Sequence, residues 1–341
     1  MRLLIVLPGA LGDVVRALPL LGRLRRGASS TTLGWAVEPP SAPVLAGHPW
    51  LDRLHVFERP RGVRGVAPFL RELRAAGYDV ALDLGRGLKS GVIARFSGAP
   101  LRVGFHREDG REGSWLFANR HLPPQGPARP KLAQFLAFGD VLGLPPAEIE
   151  FGLGPSDTEA REAAALTAGL PEPLVAACLG SSCSSRRWFP SDTAAVLREL
   201  RVRHGAGAVL LGTVADAPFA ARVQAETDGT VRDLVGRTTL RQLLAILARA
   251  RLAFGPDSGA LHLAAALGTP VVSLWGATSP ARSTPFGSDA LVVSGSAPCA
   301  PCFLATCPIG RLCMRAISVE TVVARSTAAG FGATEPARDA R

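Results

Sequence analysis

The sequence predicts an α/β fold of two domains, each a doubly wound parallel sheet, and three observations support this prediction. Short apolar runs of strand length alternate with segments of helical period, which is typical of parallel strands joined by crossover helices. The alternation restarts after the loop-like stretch "FGLGPSDTEA". The chain of 341 residues also exceeds the usual size of a single hydrophobic core. We therefore expect one domain at residues 1–155 and a second at residues 156–341.

The first domain opens with a predicted strand, a loop and a helix. The apolar run at 3–7 forms the strand, a proline and two glycines turn the chain, and an amphipathic helix follows at 13–26. A secretory signal peptide is the alternative, but Asp13 and Arg16 interrupt the apolar segment that such a peptide requires. We therefore expect Asp13 at the mouth of a strand-loop-helix turn.

The remaining elements continue the alternation. Strands are expected in "TTLGWAVEP", "RLHVFE", "YDVALDLG", "LRVGF", "LVAACLG", "GAVLLG", "LAFG" and "TPVVSLWG", and helices in "KSGVIARFSG" and at 42–46, 68–77, 131–142, 192–203, 218–227 and 240–249. Ser156 is expected to cap the first helix of the second domain. The pattern dissolves between Arg107 and Pro130, which predicts a long loop of the kind that often carries function.

The charge of the chain favours an anionic partner. The formal net charge is +10, and only two of the 38 basic residues are lysines, Lys89 and Lys131. Such a surface attracts polyanions or an anionic membrane face, although a biased genome is an equal explanation for so much arginine. The basic residues are scattered and aromatic residues are few, which argues against nucleic-acid binding. No segment reaches the roughly 18 to 20 apolar residues of a membrane span.

Four of the six cysteines lie in one predicted loop. They form the pattern C-x2-C-x4-C-x5-C with Cys299, Cys302, Cys307 and Cys313. Thiols at such spacing favour a structural zinc site. Because no export signal is predicted, disulfides are not expected in a reducing cytosol. The alternative is that four reduced thiols pack the loop.

The stretch "LAFGPDSGALHLAAALGTPVVSLWGATSP" has the features of an anion site. A predicted strand ends at Phe254, and Gly255 and Pro256 turn the chain. Asp257 or Ser258 is expected to cap the helix that follows, which ends at Gly268. Backbone N–H groups at such a helix start, aided by the helix dipole, bind a diphosphate. His262 lies one turn into the helix on the face of Ser258, within reach of the same ligand. The alternative is a capped core helix with a satisfied histidine.

Two further loops follow predicted strand ends. In "LGSSCSSRRWFP", Ser181 and Ser182 offer hydroxyls, and Arg186 and Arg187 offer charge-assisted donors for phosphate. In "LLGTVAD", Asp216 stands where an acid could hold a ribose diol. The alternative for these loops is an ordinary solvated surface.

In the motifs described above, the chain resembles the family 9 glycosyltransferases, the heptosyltransferases of lipopolysaccharide core assembly. The resemblance rests on "GALGDVVRALPLL", "WAVEPPSAPVLAGHPWLDRLHVF", "YDVALDLGRGLKSGVIARFSGAPLRVGF", "SSCSSRRWFP", "GPDSGALHLAAALGTPVVSLWGATSP" and the cysteine loop with "CMRAIS". It implies the GT-B fold, in which two Rossmann-like domains face a central cleft. By the same resemblance, residues 1–155 bind the acceptor and residues 156–341 bind the nucleotide-sugar donor.

The resemblance also implies roles for single residues. Asp13 would be the catalytic base of an inverting transfer that needs no cofactor. The expected donor-binding residues are Ser181, Ser182, Arg186, Asp216, Asp257, Ser258, Gly259 and His262. The expected acceptor-binding residues are Gly12, Lys89 and Arg107. Many family members carry Thr-Thr, Lys and Glu where this chain has Ser181-Ser182, Arg186 and Asp216.

The function that we predict is heptose transfer from ADP-heptose to a phosphorylated lipid A core. Such an enzyme would be cytoplasmic and peripheral on the inner membrane. Two alternatives remain open, a sugar-nucleotide epimerase of the same fold and a protein that binds a nucleotide sugar without turnover. For Asp13, the alternative to catalysis is a structural helix cap.

Overall fold

The computed structural model describes residues 1–58, 66–227 and 229–332. The chain divides into two compact units, Met1–Leu153 and Gly154–Arg341, near the boundary that the sequence pattern indicates. Across the described residues, no helix combines the length and the apolar character that crossing a bilayer requires.

The first unit is a parallel sheet whose strands are joined by helices. Its strands are β1 (Arg2–Val6), β2 (Thr32–Val37), β3 (Arg53–Val56), β4 (Val80–Asp83), β5 (Leu101–Gly104) and β6 (Arg120–His121). Its helices are α1 (Leu11–Gly27), α2 (Ala42–Leu45), α3 (Val66–Ala76), α4 (Leu88–Phe96) and α5 (Lys131–Val141), with a 3-10 helix at Ser114–Phe117. The strand order is β3-β2-β1-β4-β5-β6.

The strand β1, in the interior of the sheet, is apolar from Leu3 to Val6. Leu3, Leu4 and Ile5 are fully buried, as expected for a parallel strand that is covered on both faces. The predicted strand at 3–7 and helix at 13–26 are confirmed, with small shifts at their ends.

Helices α1 and α5 are joined through the buried side chain of Arg23. Its guanidinium donates hydrogen bonds of 2.8 Å to the carbonyl oxygens of Leu136 and Pro145. A Cβ at Gly139 would lie 2.8 Å from this guanidinium, so the close approach of α5 requires a glycine. These contacts fix Lys131, the first residue of α5, relative to α1.

The second unit repeats the architecture of the first. Its strands are β7 (Leu174–Cys178), β8 (Gly207–Leu211), β9 (Val231–Asp233), β10 (Leu252–Pro256), β11 (Val271–Trp275) and β12 (Val292–Ser294). Its helices are α6 (Asp157–Leu166), α7 (Pro190–His204), α8 (Ala217–Glu226), α9 (Leu240–Arg249), α10 (Gly259–Ala266), α11 (Pro280–Ser283), α12 (Leu312–Arg315) and α13 (Val319–Gly330). Short 3-10 helices lie at Ser184–Arg186, Val214–Asp216 and Asp289–Leu291. The strand order is β12-β11-β10-β7-β8-β9.

The strand order reverses at one point in each sheet, between β1 and β4 in the first unit and between β7 and β10 in the second. Doubly wound sheets bind their ligands at the carboxyl ends of the strands that flank such a reversal. The loops after these four strands are therefore the places where functional side chains are expected.

The prediction of one long loop between Arg107 and Pro130 is wrong. It contains the 3-10 helix at Ser114–Phe117, and β6 pairs with the edge of the sheet at β5. The edge strands β9 and β12 were not predicted either. Strands of two or three residues are too short to show a hydrophobic period, so only their pairing partners reveal them.

Candidate functional site

In the first unit, Asp13 lies in the first turn of α1, shortly after β1. The helix begins at Leu11 with Ala10 at the N-cap position, and no side chain caps it. The alternative that Asp13 is the helix cap is therefore wrong. Its carboxylate instead contacts Arg16 on α1 and Lys131 on α5.

Two cations hold the Asp13 carboxylate. Lys131 Nζ lies 2.7 Å from Oδ1 and 3.0 Å from Oδ2, and Arg16 Nη2 donates to Oδ1. Burial by itself would raise the pKa of Asp13, but Arg16 and Lys131 outweigh it and hold this pKa well below its usual range. The side chain keeps 23% of its exposure. Asp13 is therefore an ionised and accessible proton acceptor throughout the neutral pH range.

The loops after β2 and β4 bring further charged groups to this edge of the sheet. Asp83 ends β4 and is buried, and its Oδ1 accepts a 3.0 Å hydrogen bond from the N–H of Gly85. Burial raises the pKa of Asp83 to about 6, although hydrogen bonds from Ser90 and Gly85 oppose this change. Lys89 Nζ donates to Glu38 Oε1 at 2.6 Å. Asp83 and Glu38 were not predicted as site residues, although both stand at the ends of predicted strands.

In the second unit, the loops after β7 and β10 meet around Asp257. Arg186 Nη1 donates to Asp257 Oδ2 at 3.0 Å, and the Ser181 hydroxyl donates to the main-chain oxygen of Asp257 at 2.9 Å. His262 Nε2 lies 3.9 Å from Oδ1. Thr278, from the polar "GATSP" turn after β11, also donates to Oδ2 at 3.2 Å. The structure thus brings four predicted donor-binding residues together and adds Thr278.

Helix α10 begins beside this cluster, with Ser258 at the N-cap and Gly259 as its first residue. The predicted side-chain cap is wrong, because the Asp257 carboxylate is engaged by other groups and Ser258 makes no capping hydrogen bond. Within the described part of the chain, the buried Ser258 Oγ and Arg186 Nε have no hydrogen-bond partner. Buried polar groups are nearly always hydrogen-bonded. Two unpaired donors at a helix N-terminus are suited to an anion with several oxygen atoms.

Asp216 occupies a different position from the one expected of a ligand-binding acid. Its side chain is 2% exposed and forms an ion pair with Arg187, whose Nη2 lies 2.7 Å from Oδ1. Thr213 donates to Oδ2 through its N–H and its hydroxyl, both at 2.9 Å. A Cβ at Gly180 would lie 2.7 Å from Oδ2, so this acid lies directly beneath the loop that leads to Ser181. In this structure Asp216 and Arg187 support the loop, and ribose binding by Asp216 stays a prediction.

Three other predicted residues are at the surface or beside the Asp13 cluster. Gly12 is buried as the second residue of α1. Arg107 is exposed in the turn after β5. Ser182 is exposed, and its hydroxyl lies 3.9 Å from the Sγ atom of Cys183. Their proposed roles in acceptor and donor binding stay predictions.

The four-cysteine segment does not form the predicted zinc site. In residues 1–58, 66–227 and 229–332, no group of three or more His, Cys, Asp or Glu side chains is arranged to hold a metal ion. Cys313 is buried in the hydrophobic core of the unit, whereas Cys299 is exposed. The backbone of the segment contacts the loop after β7: the carbonyl oxygens of Leu304 and Ala305 accept hydrogen bonds from the hydroxyl and the N–H of Ser185, respectively. The segment therefore braces the loop that carries Arg186.

Comparison with known sequences agrees with this arrangement. The family model for glycosyltransferase family 9 (heptosyltransferase) matches residues 66–312. The chain is 26% identical over 289 residues to the lipopolysaccharide core heptosyltransferase OpsX of Haemophilus influenzae. This similarity covers 84% of this chain and 82% of that protein.

Solved structures share the fold of both units. The glycosyl transferase family 9 structure from Veillonella parvula has a TM-score of 0.81 at 20% identity, covering 96% of this chain and 95% of that chain. E. coli heptosyltransferase WaaC with ADP-2-deoxy-2-fluoro heptose has a TM-score of 0.71 at 20% identity, covering 94% and 98%. The two parallel sheets thus have the GT-B fold. Because the family model matches most of its length, the chain belongs to glycosyltransferase family 9 and is a glycosyltransferase.

Proposed function

We propose that this glycosyltransferase moves a heptose from ADP-heptose to the inner core of lipopolysaccharide, with inversion at the anomeric carbon. The observation that carries the proposal is the pair of unpaired buried donors, Ser258 Oγ and Arg186 Nε, at the N-terminus of α10. A nucleoside diphosphate supplies the oxygen atoms that these donors need. The name of OpsX and the ADP-sugar bound to WaaC support heptose and ADP as the parts of the donor.

The proposed step needs a base and a stabilised leaving group. The acceptor hydroxyl oxygen attacks the anomeric carbon, the bond from that carbon to the diphosphate oxygen breaks, and the hydroxyl proton passes to Asp13. The pKa of Asp13 lies well below its usual range, so its carboxylate is a weak base. It therefore accepts the proton late in the step, when the attacking hydroxyl has become acidic. Arg186 and the first N–H groups of α10 take up the negative charge of the departing ADP.

We assign the donor to the second unit and the acceptor to the first. The donor set is Ser181, Ser182, Arg186, Asp216, Asp257, Ser258, Gly259 and His262. The acceptor set is Gly12, Lys89 and Arg107. The acceptor is a phosphorylated lipid A core at the cytoplasmic face of the inner membrane, and the net charge of +10 supports an anionic acceptor and membrane surface.

The test is incubation with ADP-heptose, with and without heptose-deficient lipopolysaccharide. Heptose transfer predicts ADP release that depends on the acceptor, together with a heavier acceptor by mass spectrometry. Isomerisation of ADP-heptose without acceptor would replace the proposal with the epimerase. Binding of ADP-heptose without any turnover would replace it with a nucleotide-sugar-binding protein.

The Asp13→Asn variant tests the assigned base. Asparagine keeps the shape of the side chain but loses the proton acceptor, so kcat should fall by about 100- to 10,000-fold while donor affinity is retained. Asp157→Asn is the matched control, because this carboxylate is exposed, also lies in the first turn of a helix (α6) and is not among the proposed substrate-binding residues. Transfer by Asp13→Asn at more than about a tenth of the normal rate would remove Asp13 from the mechanism.

A further inference from the structure

Lys131 occupies an unusual place for a lysine. It is the first residue of α5, directly after Pro130 at the N-cap position. The N-terminus of a helix carries partial positive charge, so a cation is disfavoured there unless another group compensates. The Asp13 carboxylate compensates it across a sequence separation of 118 residues. Neither the family resemblance nor the sequence pattern gave Lys131 a role.

The contacts of Lys131 orient both oxygen atoms of the carboxylate. Its Nζ contacts Oδ1 at 2.7 Å and Oδ2 at 3.0 Å, whereas Arg16 adds a contact to Oδ1. Oδ1 thus receives two of the three contacts and Oδ2 receives one. This arrangement gives Oδ2 the greater remaining capacity to accept a hydrogen bond from an acceptor hydroxyl.

Lys131 is held more firmly than a lysine on the protein surface. Its side chain is 25% exposed, and its helix is held to α1 by the hydrogen bonds of Arg23 to Leu136 and Pro145. Asp13 lies on the same α1. The helix that carries the carboxylate and the helix that carries the ammonium group are therefore fixed to each other at a second point.

We propose that Lys131 is the positioning residue of the catalytic base, holding the Asp13 carboxylate so that Oδ2 faces the acceptor hydroxyl. This inference rests on the proposed function, because it requires Asp13 to be the base. Arg16 from its own helix and Lys131 from α5 are the charged groups that contact Asp13 in the described structure. Lys131 does not touch the reacting atoms in this scheme and acts through Asp13.

The test compares Lys131→Met with Lys131→Arg in steady-state transfer assays at saturating acceptor. Loss of orientation in Lys131→Met should lower kcat by about 10- to 100-fold, since small misplacements of catalytic groups have effects of this size. The donor KM should stay within about twofold, and Lys131→Arg should recover most of kcat because it restores a cation. Lys131→Gln serves the same purpose if the methionine variant does not fold.

The matched control is Arg26→Met, which removes a different cation from the α1 surface. Arg26 pairs with Glu150 and lies 13 positions from Asp13, roughly 20 Å along the helix. Its kcat should equal that of the wild type. A normal kcat for Lys131→Met, or an equal loss of kcat in the control, would overturn the positioning role.

A double variant separates this inference from the proposed function. In the Asp13→Asn background, Lys131→Met should cause no further loss, because its effect passes through the carboxylate. A further loss equal to that in the wild-type background would overturn the inference. If Asp13→Asn is inactive and Lys131→Met is normal, only the inference fails. If Asp13→Asn is fully active, the assignment of the base fails first.

Discussion

At the scale of single residues, two adjacent arginines have different partners. Arg186 contacts Asp257 at the start of α10, and its Nε is one of the unpaired donors of the proposed diphosphate site. Arg187 pairs with the buried Asp216 beneath the same loop. The sequence "RR" predicts two similar donors for phosphate. In the structure, Arg186 lies at the proposed diphosphate site, whereas Arg187 supports the loop through Asp216.

This difference predicts that one alanine substitution lowers donor kcat/KM and the other lowers stability. Arg186→Ala should lower kcat/KM for the donor by about 10- to 100-fold, because it removes a charge-assisted hydrogen bond worth roughly 1.5 to 3 kcal/mol. Its stability should change little. Arg187→Ala should instead lower the free energy of unfolding by about 3 kcal/mol, because it leaves the charge of Asp216 buried and unpaired. Donor kinetics and urea denaturation measure the two effects, and an unchanged donor kcat/KM in Arg186→Ala would contradict the assignment.

At the scale of elements, the start of α6 is fixed by local chemistry and by a neighbouring helix. Ser156 accepts a hydrogen bond from Glu159 N, and the Glu159 side chain accepts one from Ser156 N, which confirms the predicted cap as a capping box. Arg241 of α9 forms an ion pair with the same Glu159 at 2.7 Å. The hydrogen bond from Arg241 is the main reason that the pKa of Glu159 is lowered to about 2.

Glu159→Gln tests the ionic part of this contact while keeping the capping box, in which glutamine also serves. The variant should be less stable at pH 7 by about 0.5 to 1 kcal/mol, the range of a partly exposed ion pair. The folded pKa of about 2 lies below the ordinary value of 4.5. The stabilisation is therefore complete above pH 4.5 and disappears as the pH falls towards 2. Thermal unfolding of both proteins between pH 2 and 7 measures it, and a pH-independent difference would disprove the ionic contribution.

At the scale of the whole molecule, the two units share one topology and the chain carries a large positive net charge. Both sheets have the same strand order, and most candidate residues follow the strands where that order reverses. Arg107, after β5, and Asp216, after β8, are the exceptions. The net charge of +10 gives the chain a general attraction for anions. Affinity for a large anionic acceptor should therefore depend on long-range attraction, whereas the donor diphosphate is held by close contacts.

Ionic strength distinguishes these two kinds of binding. Attraction between exposed charges is screened over roughly 8 Å at physiological salt and over less at higher salt. Raising the salt concentration from about 0.05 to 0.5 M should therefore increase the KM of the lipopolysaccharide acceptor several-fold and the KM of the donor much less. Matched titrations of both substrates measure this, and equal salt sensitivity would contradict the role of net charge.

The sequence by itself determined the order of the main elements, the two-unit organisation and the loops that carry the candidate residues. These features depend on local signals, namely the apolar run of β1, the helical period of α1 and the capping pattern at Ser156. The central strands are predictable because burial on both faces makes them continuously apolar. The polar loops are predictable because they follow directly at the ends of those strands.

Only the tertiary structure decided which charged groups meet. Lys131 reaches Asp13 from 118 residues away, through the packing of α5 against α1, and no local pattern encodes that contact. The same holds for Asp216, whose burial depends on the loops after β7 and β8, and for Cys313, which packs into the core. The edge strands also required their neighbours, because a strand of two or three residues is defined by its pairing. Local periodicity reports which face of an element is buried, whereas the identity of the group on the other side depends on how distant elements pack.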